Sequence, residues 1–327
     1  MKKIILALII SIFTLSPLYA EKMIRTGENL EIWFDTGGPP GGAYGTIVYN
    51  GAKQAGFDLG AKVKFMYSEW SPQKMVENFK TALSARPDGI VVMGHPGDLA
   101  YAPFIEEAQK KGIIVTCIDT PLPSLQENYI SQGFGYIGPD NYNQGQSMAK
   151  ESIKRFNLKK GDRVFVWGLK RLQTRGLRTK GIIEVLEDEG IKVDYLEIST
   201  EIDKDSSLGT PVITGYVSAN PDLKAMIIDH GALTSQMENF LRASNIGPDK
   251  IHVAGFSLSP ATAEAIEKGY VDLIGDAQPF LLGYLSITQI VLTKKFGFSG
   301  LTIDTGSGFI GKNEIEKIKP LAKKGLR

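Results

Sequence analysis

The sequence predicts an α/β protein built from two successive halves, each with its own parallel sheet. Three observations lead to this prediction: a length of 327 residues, a regular alternation of strand-like and helix-like segments, and strands that are almost entirely apolar. A chain of this length fits two domains of ordinary size. Near-continuous apolar strands that alternate with helices are typical of parallel strands covered on both faces.

The first half supplies four strands and the helices between them. Strands are predicted at 30–34, 62–67, 88–93 and 113–118. Helices are predicted at 44–59, 72–84 and 99–111. Pro72 suits the first turn of its helix, where a missing backbone N–H is tolerated. The stretch 121–140 is rich in Pro, Gly and Asn, and we expect the chain to pass there into the second half.

The pattern of alternating strands and helices then restarts. Strands are predicted at 163–167, 192–198, 224–228, 252–255 and 272–274. Helices are predicted at 141–156, up to 189, near 218, up to 244, up to 268 and at 279–295. Because open parallel sheets bind ligands beyond the carboxyl ends of their strands, the residues that follow each strand are the candidates for function.

The first twenty residues are predicted to be a secretory signal peptide. Lys2 and Lys3 precede an apolar run over 4–15, and Ala20 is the small residue expected at a cleavage site. The run is shorter than the roughly 20 residues that a membrane-spanning helix needs. We therefore expect cleavage after Ala20 and a periplasmic location for the mature protein.

Charge and cysteine content exclude several classes of protein. The chain has 37 basic and 36 acidic residues, whereas a nucleic-acid-binding protein needs a basic excess to neutralise phosphates. Cys117 is the one cysteine, so neither an intrachain disulfide nor a Cys-rich zinc site can form. The three histidines lack the spacing of zinc ligands. We expect no metal, no cofactor and no nucleic-acid partner.

Two segments suggest enzymatic chemistry but lack essential residues. The Gly/Pro-rich stretch 37–42 has no Gly-Lys-Ser/Thr ending, and its two prolines lack the backbone donors that would bind phosphate. The segment 255–259 resembles a nucleophile elbow without the final glycine, and no histidine follows His252. We therefore predict that the protein is not an enzyme.

The predicted strand ends combine carboxylates with aromatic rings, histidine, amide and guanidinium. Sugar hydroxyls both donate and accept hydrogen bonds, and aromatic rings cover the apolar face of a sugar. The alternative, that the acidic residues only cap helices, does not account for the accompanying rings. The candidate ligand-binding residues are Asp35, Tyr44, Trp70, His95, Asp119, Thr120, Trp167, Leu169, Arg178, Asp229, Phe256, Ser257, Asp276 and Gln278.

Eight short segments, in the same order, resemble the ribose-binding-like, type I group of periplasmic sugar-binding proteins of ABC transporters. They are 43–44, 93–98, 118–120, 137–141, 178–181, 228–230, 255–257 and 276–279. The chain departs from the pattern at Ser257, where the family carries Asp, and at Asp229, where it carries Asn. These departures leave the identity of the sugar open.

The resemblance implies two Rossmann-like lobes joined by three hinge crossovers, near 138–140, 276–279 and 304–307. The N-terminal lobe would comprise 21–138 and 278–305, and the C-terminal lobe 139–277 and 306–327. It also implies a monomer that closes over its ligand and delivers it to the membrane permease of an ABC transporter.

The expected charge of the cleft points to a neutral sugar or polyol. Four predicted carboxylates, those of Asp35, Asp119, Asp229 and Asp276, face the single Arg178, and an anionic ligand would meet them uncompensated. Asp119 and Arg178 are the two residues expected most strongly to contact the ligand, from opposite lobes.

Two other functions use the same fold. A periplasmic sensor would present a sugar or a furanosyl signal, such as autoinducer-2, to a chemoreceptor or histidine kinase, and the sequence leaves this alternative open. The effector domain of a repressor would need a helix-turn-helix at the amino end, where this chain has the predicted signal peptide.

Overall fold

The structure, a computed structural model, describes residues 25–306 and 308–327. The signal peptide predicted at 1–20 therefore lies outside the described residues. Two six-stranded sheets, each covered by helices, form two lobes. This confirms the predicted α/β fold with two mostly parallel sheets.

The sheet of the N-terminal lobe is parallel throughout. Its strands are β1 (Glu31–Asp35), β2 (Lys62–Met66), β3 (Gly89–Met93), β4 (Ile114–Ile118), β5 (Gly135–Gly138) and β11 (Thr302–Asp304). They lie in the order β11-β5-β4-β3-β1-β2. The helices of this lobe are α1 (Ala43–Leu59), α2 (Pro72–Ala85), α3 (Asp98–Lys110), α4 (Pro123–Tyr129) and α12 (Pro279–Phe296).

The sheet of the C-terminal lobe has one antiparallel strand at its edge. Its strands are β6 (Arg163–Gly168), β7 (Lys192–Glu197), β8 (Leu223–Ile228), β9 (His252–Phe256), β10 (Leu273–Asp276) and β12 (Gly308–Gly311). They lie in the order β12-β10-β9-β8-β6-β7, and β12 runs antiparallel to β10. The helices are α5 (Asn141–Phe156), α6 (Leu177–Asp188), α7 (Thr200–Lys204), α8 (Thr210–Ala219), α9 (Gly231–Ser235), α10 (Met237–Ala243), α11 (Pro260–Lys268) and α13 (Lys312–Lys323).

The strands that the sequence pattern did not predict are β5, β11 and β12. Each has only three or four residues, which is too short for a periodicity to show. The chain passes from one sheet to the other between β5 and α5, between β10 and α12, and between β11 and β12. Two hydrogen bonds connect the second crossing to the third. The Thr305 hydroxyl donates to the Ala277 carbonyl (2.7 Å), and the Gln278 side chain donates to the Thr305 carbonyl (2.9 Å).

Helices α1 and α12 approach so closely that their backbones touch. A Cβ atom on Gly51 would lie 2.0 Å from the carbonyl oxygen of Phe280, and one on Gly283 would lie 2.0 Å from that of Val48. Real Cβ atoms do not approach a carbonyl oxygen this closely, so the contact requires glycine at both positions. It fixes α1, whose first turn carries Tyr44, against the rest of the N-terminal lobe.

We expect Gly51→Ala to lower the free energy of unfolding by about 1–3 kcal/mol, because the added methyl group overpacks the α1–α12 contact. The matched control is Gly215→Ala, an exposed helical glycine of α8 with no atom within 4 Å of an added Cβ. That change should stabilise the protein by about 0.5–1 kcal/mol through helix propensity. Urea unfolding of both variants measures the two effects, and equal stabilisation would contradict the close contact.

Candidate functional site

A cavity of about 330 Å³ lies between the two lobes. Its size is at the lower end of the range of about 300–1,000 Å³ seen for small-molecule sites. The N-terminal lobe contributes Pro39, Gly42, Ala43, Tyr44, Trp70, His95 and Asp119. Among the residues from the C-terminal lobe are Leu169, Leu172, Arg175, Arg178, Asp203, Lys204, His230, Ser257 and Leu258.

Three of the lining residues have left-handed backbone conformations. Asp119 follows β4 directly with φ 64°, Ser257 follows β9 with φ 68°, and Trp70 has φ 58°. Residues other than glycine adopt such conformations at a cost on the order of 1–3 kcal/mol, and they cluster at functional sites. The backbone turns at these three residues therefore help to shape the wall of the cavity.

Asp119 is the hydrogen-bonding centre of the N-terminal wall. Its Oδ1 accepts from the Tyr44 hydroxyl (2.5 Å), and its Oδ2 lies 2.9 Å from Nε2 of His95 and accepts from the Thr120 hydroxyl (3.2 Å). Burial alone would raise the pKa of Asp119, but His95, Arg175 and Tyr44 outweigh it and hold the pKa well below its usual range. Asp119 is therefore a charged carboxylate that can only accept hydrogen bonds.

Trp70 forms the aromatic part of the same wall. Its ring lies between those of Tyr44 and His95, with centroid distances of 5.8 Å and 5.7 Å. The loop 37–42 packs against it: a Cβ atom on Gly38 would lie 3.1 Å from the indole, and the backbone N–H of Trp70 donates to the Gly37 carbonyl (2.8 Å). This loop positions an aromatic ring rather than a phosphate.

The opposite wall is built on a wholly buried carboxylate, that of Asp229. Its Oδ1 accepts from Nε of Arg178 (2.5 Å) and from an Nη of Arg175 (3.0 Å), and Thr179 donates to its Oδ2. Burial would raise the pKa of Asp229, but the two arginines hold it below its usual range. The guanidinium of Arg178 also lies 4.0 Å from the ring centroid of Phe256. Asp229 therefore fixes both arginines without itself lining the cavity.

A second histidine–carboxylate pair lies in the C-terminal wall. Nε2 of His230 is 3.0 Å from Oδ1 of Asp203, and Arg171 donates to the other oxygen of Asp203 (2.5 Å). Both lobes thus present a histidine bonded to a carboxylate, since His95 and Asp119 form the equivalent pair.

Half of the residues predicted from sequence line the cavity: Tyr44, Trp70, His95, Asp119, Leu169, Arg178 and Ser257. Three other predicted residues do not line the cavity but contact side chains that do. Thr120 donates to Asp119, whereas Asp229 and Phe256 hold Arg178.

The remaining predicted residues do not line the cavity. Asp35 is buried under the loop 37–42, where it accepts from the Gly37 amide (2.8 Å) and the Ser68 hydroxyl (2.9 Å). Trp167 is a fully buried core residue, because side chains alternate along β6 and its ring packs with Phe165 and Phe240.

Asp276 and Gln278 belong to the hinge rather than to the cavity wall. Asp276 pairs with Arg327 and accepts from the backbone N–H of Gln278 (3.0 Å), while the Gln278 side chain donates to the Thr305 carbonyl. In this structure their side chains therefore order the crossing after β10 and do not line the cavity.

Sequence reasoning missed Arg175, Asp203 and Lys204 as lining residues. Asp203 and Lys204 come from α7, which does not directly follow a predicted strand end, and Arg175 lies in the loop before α6. His230, which follows Asp229 at the end of β8, does line the cavity. The expected ratio of four carboxylates to one arginine is corrected accordingly. Asp35, Asp229 and Asp276 do not line the cavity, whereas Asp203, Arg175 and Lys204 do.

Neither a membrane-spanning helix nor a metal-binding cluster is found in the part of the chain that the structure describes. None of its helices has both the length and the apolar composition needed to cross a membrane. Among residues 25–306 and 308–327, no cluster of three or more His, Cys, Asp or Glu side chains could hold a metal ion.

We expect Asp229→Asn to lower the free energy of unfolding by about 3–5 kcal/mol, because two buried arginines lose their counter-charge. The lowered pKa of Asp229 means that its stabilisation is complete above the ordinary pKa of about 3.9 and is lost as the pH falls through the lower folded value. The variant should therefore lose less stability than the native protein on acidification.

Thermal unfolding at neutral and acidic pH measures both effects. Asp222→Asn is the control, because Asp222 is an exposed partner of Arg163, and this variant should unfold like the native protein. A native-like melting temperature for Asp229→Asn would contradict the role assigned to the cluster.

Comparison with known proteins agrees with this architecture. A family model described as "Periplasmic binding protein domain" matches residues 38–295. The xylose/arabinose-binding protein XylF of Sulfolobus acidocaldarius is 28% identical over 256 residues, which cover 74% of this chain. The match spans only 61% of the length of that relative.

Solved structures share the fold over almost the whole chain. A carbohydrate transporter from Acidothermus cellulolyticus 11B, in complex with myo-inositol, superimposes with a TM-score of 0.76 at 20% identity, covering 91% of this chain and 99% of the other. A periplasmic sugar-binding protein of an ABC sugar transporter from Legionella pneumophila gives 0.72 at 25% identity, covering 85% and 99%. The chain therefore belongs to the periplasmic binding protein family and has its type I, two-lobed fold.

Proposed function

We propose that the protein captures one neutral sugar or polyol in the interlobe cavity and delivers it to the permease of an ABC transporter. The observation that supports this most directly is that both lobes present charged hydrogen-bonding groups to one small cavity, beside an aromatic wall. Asp119 is an acceptor from one lobe, and Arg175 and Arg178 are donors from the other. Hydroxyl groups of a single sugar satisfy both kinds of partner.

The pairing of the charges in the cavity favours a neutral ligand. Asp119 is bonded to His95, Asp203 to Arg171, and both arginines of the C-terminal wall to Asp229. Lys204, the remaining charged residue of the wall, is exposed. The two buried arginines are offset by two buried carboxylates, that of Asp229 behind them and that of Asp119 in the opposite wall, so a carboxylate or phosphate on the ligand would meet no surplus buried positive charge. The desolvation of its charge would then oppose binding.

The relatives support the same class of ligand. XylF is named for binding xylose and arabinose, and the structure from Acidothermus cellulolyticus contains myo-inositol. All three molecules are small, uncharged and rich in hydroxyl groups, as the cavity of about 330 Å³ requires.

Binding is proposed to close the two lobes about the three crossings. The bodies that move are 21–138 with 278–305, and 139–277 with 306–327. In this structure the lobes touch outside the crossings, where the Asn50 side chain of α1 donates to the Gly325 carbonyl (3.0 Å). Gly97 also lies against Gln173 of the other lobe, since an added Cβ would be 3.5 Å from its Oε1. A permease that recognises this closed surface accepts only the loaded, monomeric protein.

The proposed route to the permease begins with export. The signal peptide predicted at 1–20 would be removed after Ala20, and the protein would act in the periplasm. Delivery is tested by uptake of the labelled ligand in cells that lack the protein. Unchanged uptake together with a lost chemotactic or kinase response to the same ligand would instead support the sensor function.

We expect neutral pentoses, hexoses and inositols to include a ligand that raises the melting temperature, because the cavity matches one polyhydroxy ring. Uronates and sugar phosphates should give no comparable shift. A thermal-shift panel followed by calorimetry makes this measurement, and mass spectrometry of the purified protein identifies any retained ligand. Tight binding of glucuronate with no response to a neutral sugar would overturn the proposal.

We expect Asp119→Asn to weaken ligand binding about 10- to 100-fold, which corresponds to the loss of hydrogen bonds to a charged group worth about 1.5–3 kcal/mol. The matched control is Asp35→Asn, which changes another buried strand-end carboxylate that lies off the cavity. This control should lower the melting temperature and leave the affinity near its native value. Calorimetric titration decides the matter, and equal affinities for all three proteins would remove Asp119 from the site.

A further inference from the structure

The side chain of Gln144 connects the ligand cavity to the hinge. Gln144 lies in the first turn of α5, just after the first crossing, and is only 4% exposed. Its Oε1 accepts a hydrogen bond from Nη1 of Arg178 (3.0 Å), and its Nε2 donates one to the carbonyl of Gly306 (3.2 Å). Gly306 lies in the crossing between β11 and β12. The side-chain amide of Gln144 thus accepts a hydrogen bond from a residue of the cavity wall and donates one to the hinge.

Gln144 lies at the boundary between two cavities. Arg178, its partner, lines the ligand cavity, whereas Gln144 itself lines a second cavity of about 480 Å³ on the hinge side, together with residues of both lobes. The crossing is tightly packed at this point. A Cβ atom on Gly306 would lie 2.9 Å from Nε2 of Gln144 and 2.4 Å from Cβ of Pro139 in the first crossing. The backbone of this crossing at Gly306 is therefore packed closely against both α5 and the first crossing.

The other contacts of Arg178 make its position sensitive to Gln144. Nε of Arg178 is bonded to Asp229, the Phe256 ring lies beneath the guanidinium, and Gln144 holds Nη1. Removal of the amide leaves Nη1 without its protein acceptor. The guanidinium then has one fixed bond and a ring contact, so its orientation toward the cavity is less well defined.

We propose that Gln144 is a positioning residue that couples the orientation of Arg178 to closure of the hinge. The amide reaches both partners only when the crossing and α6 are arranged as they are here, so each hydrogen bond favours formation of the other. A ligand that engages Arg178 therefore stabilises the closed hinge, and the closed hinge in turn improves ligand binding, as linkage requires. This inference rests on the proposed function, because it assigns Arg178 to ligand binding.

The first test compares the affinities of two Gln144 variants with that of a control. Gln144→Leu removes both hydrogen bonds at similar volume, whereas Gln144→Glu keeps an acceptor for Arg178 and loses the donor to Gly306. Gln289→Leu is the control, because Gln289 is 1% exposed, donates to the Gly133 carbonyl (2.9 Å), and lies in α12 away from the cavity and the crossings. The probes are D-xylose, L-arabinose and myo-inositol.

We expect about tenfold weaker binding for Gln144→Leu and a clear loss for Gln144→Glu, within the range of about 5- to 150-fold of known couplings. Gln289→Leu should bind with native affinity although it melts earlier. Native affinity for Gln144→Leu would overturn the proposal. Native affinity for Gln144→Glu would also overturn it, because Gln144 would then only orient Arg178.

The second test needs no ligand. Hydrogen exchange of the free proteins should be several-fold faster in Gln144→Leu at two places, the crossing around Thr305 and Gly306 and the first turn of α6, and unchanged there in Gln289→Leu. Faster exchange at only one of the two places would overturn the coupling. If the native protein binds none of the probes or of the wider sugar panel, the proposed function fails, and the coupling is still decided by the exchange rates.

Discussion

The buried carboxylate of Asp229 is the interaction on which the site depends. It lies at the end of β8 with no exposure to solvent, and it is paired with two guanidinium groups, those of Arg175 and Arg178. A single buried charge would be strongly unfavourable, whereas a cluster with complete hydrogen bonding is rigid. The wall facing the first lobe is thus fixed before any ligand arrives, which reduces the entropy lost on binding.

The buried charges of the cavity balance only when both walls are counted. Asp119 is hydrogen-bonded to Tyr44 and His95 within the first lobe, and Asp203 to Arg171 and His230 within the second. The two guanidinium groups on Asp229 leave one positive charge over, and Arg175 accordingly lowers the pKa of Asp119 from across the cavity. A ligand placed between Asp119 and the arginines would add hydrogen bonds to both, which is the condition for a closure that responds to ligand.

The fold followed from sequence more completely than the site. The apolar runs that became β3, β4 and β8 are long enough to show that they are buried on both faces, and the strand-end rule then located Asp119 and Ser257. The rule failed at Trp167, which lies within β6 and packs in the core with Phe165 and Phe240, whereas Leu169, the first residue after β6, lines the cavity. Arg175 and Asp203 depend on loop and helix placements set by tertiary packing, which one sequence does not encode in any local pattern.

The contact between α1 and α12 has a consequence for folding. Gly51 and Gly283 meet in the N-terminal lobe, yet almost the whole C-terminal lobe separates them along the chain. The first lobe is therefore completed only after most of the second lobe has been synthesised, since its sheet also needs β11. Contacts between such distant segments form slowly, because a long loop must close first. A chain that has been synthesised only as far as the second lobe lacks α12 and β11, so its first lobe is still without the helix and the strand that complete it.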